Sequence, residues 1–317
     1  MRIGTPPPAL IERVAREAAH EPSPALLELR DAVLSRHGDS VQAILYYGSC
    51  LRGGDPFDGL VDLYVLVDRY RHAFRSRLSA LGNAWLAPNV YYLEASVGGR
   101  TVRAKYAVVS LRDFESGTSP RWFHSYLWAR FAQPTGKLYL RAPAIEAQID
   151  RALAQAVLSF VARVVPRLSE TFTATELWHR GLSLTYRAEL RAEKTHRTAQ
   201  LVEHNRDSFE ARLSTALPAL PYPVHRSDQS TYRAELNSSS RLWSRLAWAL
   251  RIVQGKLLSL LRLIKALFTF QGGIEYVAWK LERHSGQRIE LTPRLRRYPL
   301  IFVWPLMWRL YRRGVFR

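Results

Sequence analysis

Between Tyr46 and Asp68 the chain reads YYGSCLRGGDPFDGLVDLYVLVD. The apolar run Ala43 to Tyr47 has the character of a strand, and Gly48-Ser49 ends it with small residues. A loop containing Arg52-Gly53-Gly54-Asp55 follows, then a second apolar run, Leu60 to Val67, with a single acid, Asp62, in its interior. A carboxylate inside a strand costs several kcal/mol if buried alone, so Asp62 is expected to meet a metal ion or a fixed cation. A Gly-Ser bend lets backbone amides approach a phosphate, and the serine hydroxyl can donate to it. Bend, phosphate and carboxylate-held metal together describe a nucleoside-triphosphate site. The plainer reading of the same residues is a hairpin with one satisfied aspartate.

This arrangement resembles the polymerase-β-like nucleotidyltransferases, which follow a hydrophobic-Gly-Ser turn with Asp-x-Asp or Asp-x-Glu one strand later. Here Tyr64 occupies the second acidic position. Asn89 to Glu94 (NVYYLE) and Gly99 to Leu111 (GRTVRAKYAVVSL) read as further strands, the second with a lone Lys105. Tyr91, Tyr92 and Tyr106 are expected in the sheet core, with base stacking as the lesser option. Leu127 to Leu140 (LWARFAQPTGKLYL) reads as a helix and turn. Ser169 to Lys194 then contains ETFTATEL and LTYRAELR, and Lys265 to Gly273 reads KALFTFQGG.

In this order the segments resemble the mitochondrial-type phosphatidate cytidylyltransferases, the translocator assembly and maintenance family, which has bacterial relatives. YGS, VDLY, VYY, AKYAVVS, ARFAQP, ETF, LTYRAELR and KALFTF match that family's segments collinearly from Ala43 to Gly273. Arg187-Ala188 stands where the family has Ser-Gly, and Glu189 stands for its Asp. The resemblance implies an α+β fold: a nucleotidyltransferase domain with a mixed sheet and flanking helices, then an all-helical domain. It implies transfer of cytidylyl from CTP to phosphatidic acid, giving CDP-diacylglycerol and pyrophosphate, with Mg2+ (or Mn2+), by a peripheral membrane enzyme.

Both reactants of such a transfer are anions, and a metal on the nucleotide phosphates offsets their repulsion. Asp62 is the expected metal ligand, with Asp58 or Asp55 as a second, and Asp62 and Lys105 are the expected catalytic residues. Tyr47, Gly48 and Ser49 are expected at the nucleotide, and Lys105 at the triphosphate or paired with Asp62. Arg191, Lys194, Lys265 and Arg262 are candidates for the lipid phosphate or membrane, with solvated charges as the alternative. Glu94 is a further acid of interest. No strong base is required, because the attacking phosphate oxygen is already ionised.

Size and composition suit an enzyme: 317 residues with 47% hydrophobic content supply ample core. One cysteine excludes a disulfide framework. Cys50 is expected as a small residue at a buried helix start. Nine histidines form no Cys–His cluster with zinc spacing. The net charge of +19 is unevenly placed: Arg241 to Arg317 holds 16 Lys+Arg against 3 Asp+Glu, leaving 30 against 24 for the preceding 240 residues. Such a surplus seeks phosphates of nucleic acid or of an anionic membrane.

The apolar content decides between them. On a helix over Leu242 to Phe268, Leu246, Leu250, Val253, Leu257, Leu260, Leu261, Ile264 and Phe268 make one stripe, opposite Arg251, Gln254, Arg262 and Lys265. With Trp243 and Trp248, this is the composition of a helix lying in a membrane interface. Tyr298 to Arg317 adds Trp304, Trp308 and Tyr311 beside Arg309, Arg312 and Arg313, a mixture suited to lipid headgroups. An anionic membrane surface is therefore the expected partner, and nucleic acid is not. No segment reaches the ~20 apolar residues of a transmembrane helix, and the first 24 residues, with their acids and prolines, predict no export signal. The expected location is the cytoplasmic face of a bacterial inner membrane, with the mitochondrial matrix side weighed less.

The organisation that follows is a nucleotidyltransferase domain over 1–141, a helical domain over 142–240 and a basic amphipathic region over 241–317. Leu217 to Val224 is a Pro-rich loop, and Asn237-Ser238-Ser239-Ser240 a flexible joint. Two other functions fit the same residues: a nucleotidyltransferase acting on RNA or another phosphorylated lipid or small molecule, and a membrane-bound scaffold without catalysis.

Overall fold

The computed structural model describes residues 3–48, 50–74, 77–189, 195–228 and 230–269. The first half of the chain forms α1 (Pro8–Ala18), α2 (Pro24–His37), β1 (Val41–Tyr47), β2 (Val61–Val67), α3 (Tyr70–Ala73), α4 (Arg77–Trp85), β3 (Asn89–Val97), β4 (Arg100–Ser110), α5 (Leu111–Thr118), α6 (Tyr126–Phe131) and β5 (Gly136–Leu140). Then come α7 (Pro143–Val164), β6 (Thr171–Thr173), α8 (Ala174–Ala188), α9 (Thr195–His204), α10 (Arg206–Ala216), β7 (Val224–Arg226), β8 (Thr231–Ala234) and α11 (Ser238–Thr269). This is a mixed α+β architecture.

Five strands make one mixed sheet in the order β3-β4-β2-β1-β5. β2 and β4 run parallel, and the other neighbours are antiparallel. Because side chains alternate across a strand, Val61, Leu63, Val65 and Val67 of β2 fall into one core with Leu26, Leu29 and Val33 of α2. Tyr64 and Leu66 fall into the other, with Phe131 of α6 and Phe160 of α7. Asp62, by the same alternation, shares the face of Tyr64 and Leu66. Each fully buried aliphatic or aromatic side chain in these layers contributes about 1.5–3 kcal/mol.

Four sequence expectations shift in the structure. The helix and turn over Leu127 to Leu140 splits into α6 and an edge strand, β5. Gly136 makes this possible, since a Cβ there would lie 2.2 Å from a ring carbon of Tyr46. The second half is not all helical: β6, β8 and β7 form a small antiparallel sheet. Its strands, three or four residues each, are too short for an alternating pattern to be read. The Asn237 to Ser240 joint is instead the start of α11, with the Asn237 side chain accepting from the Ser240 amide at 2.9 Å. Cys50, half-buried, opens a 3₁₀ turn over Cys50–Arg52 rather than an α-helix.

α11 attaches to the body by an unusual face. Trp248 and Arg251 are buried, and Gly255 lies so close to α8 that a Cβ would meet the Ala188 carbonyl oxygen at 2.2 Å. The Trp248 indole donates to the Arg163 carbonyl, and the Arg251 guanidinium donates to the Phe123 carbonyl while stacking on the Phe123 ring. The opposite side carries the apolar stripe, with Leu250 63%, Val253 67% and Leu257 56% exposed. Among the described residues no helix is long and apolar enough to cross a membrane.

Candidate functional site

β1 ends and β2 begins at one point of the sheet, where Tyr47 stands opposite Asp62. Gly48 turns the chain away with φ +91°, a conformation that favours glycine. Asp62 Oδ2 lies 3.6 Å from the position of a Cβ on Gly48, so the carboxylate faces the bend. On the other side the parallel register sets Asp62 directly against Lys105 of β4. Lys105 Nζ is 3.4 Å from Asp62 Oδ1, and each side chain is about one-third exposed, at 32% and 31%. An ion pair this exposed contributes only ~0–1 kcal/mol to stability.

Tyr92 of β3 pairs with Lys105. Its hydroxyl donates to Glu94 at 2.6 Å, and Arg103 Nε donates to the same carboxylate at 3.1 Å. Glu94 is thus engaged on the far side of β4 from Asp62. Tyr91 and Tyr106 belong to the opposite face, buried and stacked at 5.2 Å. The Arg36 guanidinium lies 5.2 Å from the Tyr91 ring centroid, and the His37 Nε2 is 3.2 Å from the Tyr106 hydroxyl. Their expected place in the sheet core is what the structure shows.

One charged group near the bend escaped sequence reasoning. Arg130, on α6, is one-tenth exposed and lies over the Tyr47 ring at 4.9 Å. Its Nη2 is 3.8 Å from Glu189 at the end of α8, and its Nε is buried with no hydrogen-bond partner. Segments some sixty residues apart in the chain, ARFAQP and LTYRAELR, therefore converge beside Tyr47. The signal in the sequence was an arginine inside an otherwise apolar LWARF segment, which is expensive to bury without an anion.

A divalent ion fits this residue set in one way. Among the described residues no three His, Cys, Asp or Glu side chains converge as a cation site. Asp58 is exposed in the loop, where its amide donates to the Asp55 carbonyl. Asp55 accepts from the Phe57 amide and from Arg100, contacts that hold its pKa down. Mg2+ is commonly held by one or two carboxylates with substrate phosphates completing its shell. Asp62 has the chemistry and exposure of that one carboxylate, so the residues fit an ion that arrives with a triphosphate.

A separate cavity of about 340 Å³ lies between the α4–β3 loop, α6 and α11, lined among others by Trp85, Pro88, Phe123, Tyr126, Leu258 and Arg262. Arg262 Nε donates to the Ala87 carbonyl at 2.9 Å, and its guanidinium covers the Tyr126 ring at 4.3 Å. Lys265 donates to the carbonyls of Leu86 and Pro88. Burial, and then Arg262, lower the Lys265 pKa to about 8. His124, in the same wall, is pushed down to about 4 by burial and next by Arg262. Arg262 and Lys265 thus both bind the loop before β3, and Arg262 also lines the cavity. Ser49, Arg191, Lys194 and the segment from Tyr298 to Arg317 lie outside the described residues.

No family model matches this chain, and no curated protein matches it.

Proposed function

We propose that the chain is a CTP:phosphatidate cytidylyltransferase, forming CDP-diacylglycerol and pyrophosphate at a membrane surface with Mg2+. The observation that carries this reading is the meeting of Asp62 and Lys105, across parallel strands, at the positive-φ Gly48. In the step envisaged, an ionised oxygen of the lipid phosphate attacks the α-phosphorus of CTP. A new P–O bond forms, the α–β bridging bond breaks, and the electron pair leaves with pyrophosphate, so no proton need move.

Gly48 leaves room for phosphate oxygens against the backbone. Lys105 offsets the charge that builds on the triphosphate as the bridge breaks. Asp62 would hold the Mg2+, which supplies charge neutralisation and orientation of the leaving group. The exposed stripe of α11 supports presentation of the lipid from an anionic membrane, as expected of a peripheral protein on the cytoplasmic face of a bacterial inner membrane.

A membrane-bound scaffold without catalysis is the second reading, favoured by Lys105 pairing with Asp62 and, among the described residues, no cluster of further acids with it. A transferase acting on RNA or another phosphorylated acceptor is the third. α-Labelled CTP offered with phosphatidic acid vesicles and Mg2+ separates them. Label running as CDP-lipid, lost in Asp62→Ala, supports the proposal. Transfer to RNA or another acceptor, or no transfer at all, would overturn it.

A further inference from the structure

The 3₁₀ turn Val165–Arg167 joins α7 to β6, and α11 packs on both this turn and α8. Arg167 Nε is buried there with no hydrogen-bond partner. Its pKa is lowered by burial and then by the charges of Arg180, Arg245 and Arg187, so four guanidinium groups from three elements share one field. Arg180 and Arg187 are exposed two turns apart on α8, and Arg245 is exposed on α11. Among the described residues none of the four forms an ion pair. The acids of this helix are engaged elsewhere: Glu176 closes the α8 capping box with Thr173, and Glu189 faces Arg130.

Four like charges without a counter-charge repel one another, and a bound anion relieves that repulsion. Guanidinium groups suit phosphate oxygens because their paired N–H groups match them bidentately. What borders the cluster identifies the source of the phosphate. Beside Arg245 on the same helix, Leu242, Trp243 and Leu246 are 56%, 71% and 48% exposed. Cations flanked by exposed Leu and Trp match the boundary between headgroups and acyl chains.

We propose that Arg167, Arg180, Arg187 and Arg245 form a site for the phosphate of an anionic lipid headgroup, with Leu242, Trp243 and Leu246 entering the bilayer beside it. The inference rests on the membrane association in the reading above, and not on chemistry at Asp62.

The test is sedimentation of the full chain with phosphatidylcholine vesicles, with and without phosphatidylglycerol, in the absence of CTP. The double variant Arg180→Gln/Arg187→Gln is compared with Arg151→Gln/Arg206→Gln, which removes the same charge from exposed positions elsewhere. Two charges near an anionic surface are worth roughly 10- to 30-fold in binding. The first variant is expected to lose that much on anionic vesicles while keeping its thermal midpoint, and the second to lose little. Equal losses would mean that net charge alone drives binding and would overturn the site. Displacement of the protein from vesicles by low inorganic phosphate, in the wild type but not the first variant, would assign the cluster to a soluble anion and overturn the lipid. Because vesicle binding is read without substrate, failure of cytidylyl transfer leaves this result intact.

Discussion

At the scale of single residues, the Asp62–Lys105 pair separates stability from chemistry. Both side chains are about one-third exposed, so Lys105→Met is expected to change unfolding free energy by no more than about 1 kcal/mol. If Lys105 acts on the triphosphate as proposed, its removal costs far more in rate, on the order of 10²–10³-fold. Urea unfolding and CTP turnover on the same variant check this, and a parallel fall in both would assign Lys105 to the fold alone. His124 offers a second test. Burial and Arg262 depress its pKa to about 4, while the unfolded value is about 6.5. Below pH 6.5 the unfolded chain therefore binds the proton that the folded chain refuses. Stability should fall as pH drops from about 6.5 toward 4, and His124→Gln should flatten that slope; parallel slopes for the two proteins would reject the assignment. Sequence reasoning reached Asp62, Gly48 and Lys105 because each breaks an apolar strand pattern. It missed Arg130 and Glu189 as partners because their meeting depends on how α6 and α8 pack, which no local pattern encodes.

Among the elements, α11 shows how far periodicity goes. The stripe of Leu and Val was legible at three- and four-residue steps, and so was the cationic side opposite. What could not be read was which side meets the protein. The structure turns Trp248, Arg251 and Gly255 inward and leaves Leu250, Val253 and Leu257 exposed. Arginine can serve an inward face when carbonyls and aromatic rings receive its guanidinium, as Phe123 receives Arg251 at 2.9 Å. Gly255→Ala places a methyl against the Ala188 carbonyl, where the clash is with backbone and cannot be relieved by a rotamer change. The expected cost is about 1–3 kcal/mol, together with faster amide exchange in α11 than in α7; a neutral variant would mean that α11 is not held on α8. β5 and the Asn237 cap were lost to sequence reading for a different reason. Pro134 and Gly136 at the start of β5, and Asn237 with Ser238, Ser239 and Ser240 at the start of α11, suit loops and element boundaries equally well.

For the whole molecule, one core cluster runs from Leu10 of α1 to Trp248 of α11 and includes Tyr64 and Leu66 beneath the candidate site. Within that cluster α1, α10 and the end of α6 are tied by a buried charge. Arg212 of α10 is 1% exposed, and its guanidinium meets Glu17 of α1 at 2.7 Å and the Ala132 carbonyl at 2.7 Å. Ala132 follows α6, which carries Arg130, so this clamp bears on the floor of the site as well as on α1. Breaking a buried pair from one side leaves an uncompensated charge, at a cost of about 3–5 kcal/mol, whereas replacing both members with apolar groups of similar volume is often neutral. Glu17→Met alone should therefore destabilise the chain by that amount, and Glu17→Met/Arg212→Met should recover most of it. A shared core further requires that urea unfolding, followed by tryptophan fluorescence and by circular dichroism, give coincident midpoints in the wild type. Two separated transitions would show that the sheet and the helices of the second half fold independently, and additive effects of the two substitutions would show that Glu17 and Arg212 do not act as a pair.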